Sequence, residues 1–439
     1  MSSHTMNSDY PRHKKSSAPL SFPPASFGKC KRITSRILSS HCQVGNGTSS
    51  NTHDTVLAES ILVPIVTLDE PVQQKAYWLL RTLRDTPYGR ITFAKELRRI
   101  KMPCVDSTFP EWEATDKSCA IKEMDWEAMQ EKRDKLVEDP ITEVDALQYL
   151  KEKFSHDKVC SNRHVLLPMK LLSDDHRLYS ILPFCDGGEL SNLFLDSRLL
   201  EENARIWMKQ ILQGIAFLQS AGVCHRDISL DNILVLNNKC VIIDFGMCLL
   251  VPFLPPEDPP DLADEEPYLP LPLPSLKSNP VSFDEFDMEI DSSDINDSLH
   301  TVPSKRKSPS LSACPIVHGD TTQSRMLIKP QHRCGKLHYM SPEVYRSTCP
   351  FDGFATDMWS TGVVLFIMVA GFPPWEFPCD TDERFKHMSR GKLAQILVQW
   401  DVGLSLNLMD LLQKMLYRDP KKRFCLDQVL KHPWMTAVK

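Results

Sequence analysis

Chemistry is concentrated between residues 225 and 246 of this 439-residue chain. His225-Arg-Asp-Ile-Ser-Leu-Asp-Asn232 follows a helical pattern, and Asp244-Phe-Gly246 begins twelve residues after Asn232. Asn232 and Asp244 bring hard oxygen donors, the ligand type that suits Mg2+, and Asp227 adds a carboxylate able to accept a proton. Gly246 permits a tight backbone turn beside Asp244. Either tripeptide alone arises by chance in many proteins. Their order, their spacing and the helix in front of them make the combination specific.

The rest of the chain must hold those residues in place. With 42% hydrophobic and 25% charged residues it is globular on average, which excludes collagen, fibre and a wholly disordered polymer. It has 33 Pro and 16 Gly, where average usage gives roughly 22 and roughly 31. Net charge is −6, yet Phe253–His300 alone holds 13 acidic residues against one Lys, so the remainder is mildly basic. That excess is too diffuse for a nucleic-acid footprint. The 14 Cys form no CxxC pair, which argues against a zinc site or disulfide framework and for reduced cysteines inside the cell. The most apolar run, Gly362–Phe372, is about half the length a bilayer needs and reads as a buried helix, so no membrane partner is expected.

Residues 1–70 lack sustained periodicity and are Ser-rich and basic, with Asp9 the only acid before Asp54. A disordered tail is expected there. It also resembles an organelle transit peptide, but a plain basic tail and a cytoplasmic or nuclear location are preferred. One domain is expected over 74–437, interrupted at 252–327 by a Pro-rich, acidic, extended insertion. Glu201–Ala221 carries Ala204, Ile206, Trp207, Ile211, Leu212, Ile215 and Leu218 at helical spacing. Val241–Ile243 reads as a buried strand, and Asp357–Ala370 and Leu408–Leu416 as apolar helices.

The pattern resembles the eukaryotic protein kinase family, Ser/Thr kinase-like, over residues from about 77 to 437. That resemblance implies an α+β, two-lobed fold with a small β-rich N-lobe, a larger α-helical C-lobe and ATP with Mg2+ between them. It implies that Asp227 accepts the proton of the incoming hydroxyl, while Asn232 and Asp244 hold the metal. Cys119-Ala-Ile-Lys122 resembles the strand-borne lysine motif, with Ala120 against adenine and Lys122 towards the phosphates. Its partner is expected to be Glu143 on a helix opened by Pro140. Ile181–Leu190 resembles the hinge: Leu182 gates the adenine pocket, Pro183 offers a carbonyl and Cys185 an N–H. Gly89, Ile91 and Leu234 complete the expected nucleotide-binding set. Tyr339-Met-Ser-Pro-Glu343 resembles the end of the activation segment, with Glu343 expected to pair with Arg423. Asp357 is expected to hold the backbone of the His225–Asp227 turn, or else to be a plain helix N-cap.

Four positions depart from the family. The glycine-rich loop keeps only Gly89; Arg84 and Thr86 replace the other two glycines, and Pro87 occupies the tip without an N–H. Tyr88 matches the loop aromatic. Ser229 stands where the family has a lysine that neutralises the moving phosphoryl group, and Lys336 stands where it has a threonine. Either Lys336 reaches into the space above Ser229 and restores the cation, or it is a solvent-facing loop lysine. Finally, a long insertion separates Gly246 from Ser341, and His332 occupies the usual activation-loop phosphorylation position. The acidic stretch is read as a solvated tether, with two alternatives: it occupies the Arg226 pocket, or Ser308 is modified. A smaller insertion, roughly Arg99 to Asp116, has no assigned role.

The expected activity is transfer of the γ-phosphoryl group of ATP to a protein Ser/Thr hydroxyl, Tyr being the less favoured acceptor. The expected partners are a protein substrate, ATP and a regulatory partner of the acidic insertion. The alternative is a pseudokinase that binds without catalysis.

Overall fold

The runs 75–86, 89–99 and 111–125 contain no proline and carry β-branched and aromatic side chains, which favour strands. A computed structural model describes residues 21–39, 58–68, 74–100, 110–132, 135, 138–154, 163–194, 198–253 and 325–437. The first part of the chain contributes β1 (Gly28–Arg32), β2 (Ser35–Ser39), β3 (Ala58–Leu62), β4 (Ile65–Thr67), β5 (Lys75–Thr86), β6 (Gly89–Arg99) and β7 (Glu111–Asp125). Helices α1 (Trp126–Lys132) and α2 (Pro140–Lys153) follow, then β8 (Lys170–Ser173) and β9 (Arg177–Pro183).

These strands close on themselves. In order round the ring they are β5, β6, β7, β9, β8, β1 and β4, and β4 pairs again with β5. All contacts are antiparallel except β1 with β8. One apolar cluster takes Cys30 from β1, Ile65 from β4, Tyr77 from β5, Ala94 from β6, Ile121 from β7, Leu172 from β8 and Tyr179 from β9. Every strand of the ring therefore feeds a single core, and closure leaves no free edge within it. The buried Glu123 on β7 meets Arg32 of β1, Arg90 Nε at 3.1 Å and Thr92 Oγ1 at 3.0 Å.

This corrects the expectation for residues 1–70. Four strands, β1 to β4, lie inside the segment read as a tail, and residues 1–20, 40–57 and 69–73 are outside the described residues. Each of the four is three to five residues long. Strands that short show little periodicity alone; β2 and β4 are held by the long β7 and β5, while β3 pairs with β2 and β1 with β4 and β8.

The larger lobe is helical. Its elements are α3 (Glu201–Ser220), β10 (Val223–Cys224), β11 (Ile233–Leu236), β12 (Lys239–Ile242), β13 (Leu249–Leu250), α4 (Pro342–Arg346) and α5 (Gly353–Ala370), followed by shorter helices to Thr436. On α3 the buried stripe is Ala204, Met208, Ile211, Leu212, Ile215 and Leu218. Ile206, expected inside, is 46% exposed because it falls off that stripe, and Met208 takes its place. Among the described residues α5 is the one helix apolar and long enough to cross a membrane, but 94% of it is buried in this lobe. It starts four residues earlier than expected, capped by Asp352 accepting from the Phe354 N–H at 3.0 Å.

Two charged contacts pin this lobe. Arg423, wholly buried, donates to Glu343 at 2.7 and 3.0 Å and to the Ala355 carbonyl at 2.7 Å. Arg325 donates to Asp352 at 2.9 Å and lies over the Phe354 ring. Arg325 also bridges Phe253, and the Met326 N–H donates to the Pro252 carbonyl at 2.7 Å. The expected insertion at 252–327 is thereby narrowed: its two ends are fastened together and belong to the fold. Residues 254–324 are outside the described residues.

Removing one partner of a buried ion pair strands the other charge, at a cost of about 3–5 kcal/mol. Arg423→Ala is therefore expected to lower the free energy of unfolding by about that amount in a denaturant titration. Glu343→Gln with Arg423→Met, which removes both charges, should cost less.

Candidate functional site

Lys122 sits on β7 because alternation turns Cys119, Ile121 and Glu123 into the barrel and leaves Ala120 and Lys122 on the opposite face. Its Nζ meets the Glu143 carboxylate of α2, and both residues are buried. Burial opposes the charge on Lys122, but Glu143 and then Asp244 outweigh it and hold the lysine pKa above its usual value. Helix α2 begins where expected, with Asp139 as N-cap accepting from the Ile141 N–H at 2.9 Å. The Asp139 N–H donates to the Gly246 carbonyl at 3.1 Å, joining α2 to the Asp244–Gly246 turn.

Asp227 lies in a buried turn with three donors on its carboxylate. Asn232 Nδ2 donates at 2.7 Å, the Lys336 N–H at 3.1 Å and Lys336 Nζ at 3.4 Å. Lys336 Nζ is also 2.9 Å from Ser229 Oγ and 3.8 Å from Asp231. The lysine therefore does enter the space above Ser229, although 37% of its side chain stays exposed. Gly335 makes this approach possible: its φ is +85°, and a Cβ there would stand 2.8 Å from the Arg226 carbonyl oxygen.

Two residues hold the turn from behind. Asp357 accepts from the His225 and Arg226 N–H groups at 2.7 and 2.8 Å. It lies inside α5, so the N-cap alternative is excluded. Burial lowers the His225 pKa, and the neutral ring donates from Nε2 to the Ile243 carbonyl while Nδ1 accepts the Asp227 N–H. Asp244 adopts φ +67°, an uncommon conformation for a residue other than glycine. The Arg226 guanidinium donates to the Met247 and His332 carbonyls at 3.3 and 3.4 Å and lies near the Phe351 ring.

Cross-strand partners share a face, which fixes the roof of the cleft. Ile91 is opposite Lys122, Lys122 opposite Ser180, and Ala120 opposite both Phe93 and Leu182. Pro183 ends β9. Leu182 and Leu234 pack on a cluster that contains Cys185. Burial pushes the Cys185 thiol up to about 12, so it is a packing group and not a nucleophile at neutral pH.

The loop between β5 and β6 departs from expectation. Thr86 pairs with Gly89 in a tight hairpin with Pro87 and Tyr88 at its turn. Tyr88 does not reach over the phosphate site: it is 2% exposed, packs with Met124, Met129, Val144 and Leu178, and donates from its hydroxyl to the Glu138 carbonyl at 2.6 Å. Gly89 is required by packing, since a Cβ there would stand 2.2 Å from the Glu123 carbonyl oxygen.

Sequence reasoning missed Glu138 altogether. Its carboxylate oxygen lies within 4.8 Å of those of Glu143 and Asp244. Burial, then Asp244, pushes its pKa up to about 7. Also missed were the edge-on pair Phe93–Phe184, with ring centroids 4.7 Å apart, and Gly335. No local motif marks Glu138; only the fold carries it to Asp244.

The family model described as "Protein kinase domain" matches residues 111–252 and 318–435. The chain is similar to the maternal embryonic leucine zipper kinase of Xenopus laevis, 26% identical over 326 residues that cover 73% of this chain and 36% of that protein. It is also similar to the serine/threonine-protein kinase kin-29 of Caenorhabditis elegans, 26% identical over 280 residues, 63% of this chain and 24% of that one. A third relative is the MAP kinase-interacting serine/threonine-protein kinase 1 of Xenopus laevis, 27% identical over 292 residues, 62% of this chain and 55% of that one. The matched length is thus about a third or less of the first two relatives.

A carboxyl whose pKa is raised on folding costs stability above that pKa and returns it as pH falls towards the usual value of 4.5. Glu138→Gln is expected to melt higher than the wild type at pH 8, by about 2–4 °C. That difference should shrink as pH falls below 7, in melting curves recorded across the range.

Proposed function

This chain belongs to the protein kinase family, and we propose that it transfers the γ-phosphoryl group of ATP to a Ser or Thr hydroxyl of a protein. The observation that carries the reading is the Lys336 ammonium at Ser229 and Asp227, which supplies in space the cation that the catalytic loop lacks in sequence.

Asp227 takes the proton as the substrate oxygen bonds to the γ-phosphorus and the bond to the bridging oxygen of ADP breaks. Asn232 and the Lys336 N–H hold its carboxylate in one orientation. Lys336 Nζ neutralises negative charge at the moving phosphoryl group, and Lys122, oriented by Glu143, does so at the phosphates behind it. The residues fit a divalent cation: Asn232 spends its amide nitrogen on Asp227 and keeps its oxygen free, and Asp244 adds a carboxylate in an acid-rich corner. Bound Mg2+ would be held by Asn232 and Asp244 and would neutralise phosphate charge. Ile91, Ala120, Leu182 and Leu234 offer the apolar surface for adenine, with Pro183 and Cys185 supplying backbone groups at the hinge.

A second reading, a pseudokinase that binds without catalysis, is favoured by one observation. The β5–β6 hairpin has no N–H at Pro87 and its Tyr88 is tied down away from the phosphates.

Incubation with radiolabelled ATP, Mg2+ and a generic protein acceptor separates the two. Labelling by the wild type that is lost in Asp244→Asn is expected; a folded wild type that gives no label supports the second reading. Lys336→Ala should lower turnover about 100-fold, the scale of losing one charge-stabilising group. Adding Ser229→Lys to that variant should recover much of the loss. Unchanged turnover in Lys336→Ala would remove the lysine from the mechanism.

A further inference from the structure

Residues 21–27 cross the outside of α2 before entering β1. Phe22 is 7% exposed and belongs to the core of the larger lobe, with its ring 5.7 Å from that of Tyr149 on α2. The Ala25 N–H donates to Asp145 Oδ1 at 2.7 Å, and the Ser26 N–H to Gln148 Oε1 at 2.8 Å. Gln148 Nε2 in turn donates to Ser26 Oγ at 2.9 Å. Phe27 stands edge-on to Trp126 in the group that holds Met129 and Val144. The next residues are locked as β1 between β4 and β8.

By helix geometry Asp145 lies roughly 200° and Gln148 roughly 140° round α2 from Glu143. The segment thus grips the face turned away from Lys122. Glu143 is buried, and its burial opposes its charge, so an outward swing of α2 would return the carboxylate to water and break the ion pair. A contact on the outer face opposes that swing.

We infer that residues 22–27 form a built-in strap whose task is to position Glu143 against Lys122, so that the ion pair does not rely on a separate protein. Phe22 and Phe27 are its apolar anchors. The backbone of Ala25 and Ser26, received by Asp145 and Gln148, sets its register on the helix. The catalytic consequence rests on the kinase reading above; the positional one does not.

The test uses the full chain with Asp145→Ala and Gln148→Ala together, and separately Phe22→Ala. Alanine is the better helix former, which offsets loss of the Gln148–Glu152 hydrogen bond within α2, and Phe22→Ala loosens the strap without altering the helix. Amide hydrogen exchange across 140–153 is expected to accelerate about tenfold in both variants, with α5 unchanged. In an active enzyme kcat should fall about tenfold. Unchanged or slower exchange across α2 in both variants overturns the proposal. Absence of Asp244-dependent labelling in the wild type counts against the kinase reading alone, and the exchange measurement still decides the strap.

Discussion

The ion pair between Lys122 and Glu143 is the constraint on which the architecture turns. Two charges have been removed from water to face one another across the gap between a strand and a helix. Such a pair is tolerated only where both supports are fixed, because either charge alone in that place is costly. The closed barrel fixes β7 from both sides through β6 and β9. Helix α2 is fixed at its start through the Gly246 carbonyl, and near its end by the Tyr149 hydroxyl donating to the Ala221 carbonyl at 2.9 Å. The small lobe, the large lobe and the Asp244 turn thus share one electrostatic condition.

The second organising fact is that the cation and its carboxylate are contributed by segments far apart in sequence. Lys336 and Asp227 are separated by 109 residues, and the chain between them includes the whole of 254–324. A lysine on the catalytic loop would be held by its own turn. Lys336 instead depends on the descent of its backbone onto the Arg226–Asp227 peptide, which Gly335 allows. The placement of this charge is therefore tied to the geometry of the segment before Ser341.

Much of this was legible in sequence. The start of the helix carrying Glu143 followed from Pro140, the pairing of Glu343 with Arg423 followed from the family resemblance, and the approach of Lys336 to Ser229 was one of two open alternatives. These features belong to long elements or to residues fixed by short turns. What was not legible depends on distant pairing. Strands β1 and β4 each read as basic or unremarkable stretches, and their role as barrel staves exists only because β5 and β8 leave edges for them. The Tyr88 ring was not placed for a related reason: the motif fixes its position at the hairpin tip but not the side to which its ring turns. The apolar groove beneath α2 decides that.

The fastening of Phe253 to Arg325 has a consequence for how this protein can change. The two residues form the stem of a closed loop, and the work of bringing its ends together is done by the bridge, the Arg325–Asp352 pair and the Phe354 ring. Loop-closure entropy grows only logarithmically, by about 0.6 kcal/mol for each doubling of length. The chain spliced into that stem can therefore lengthen or shorten with little entropic effect on the lobe beneath. In physical terms the stem is an insertion port: the lobe depends on the stem itself and only weakly on the length of chain that the stem closes.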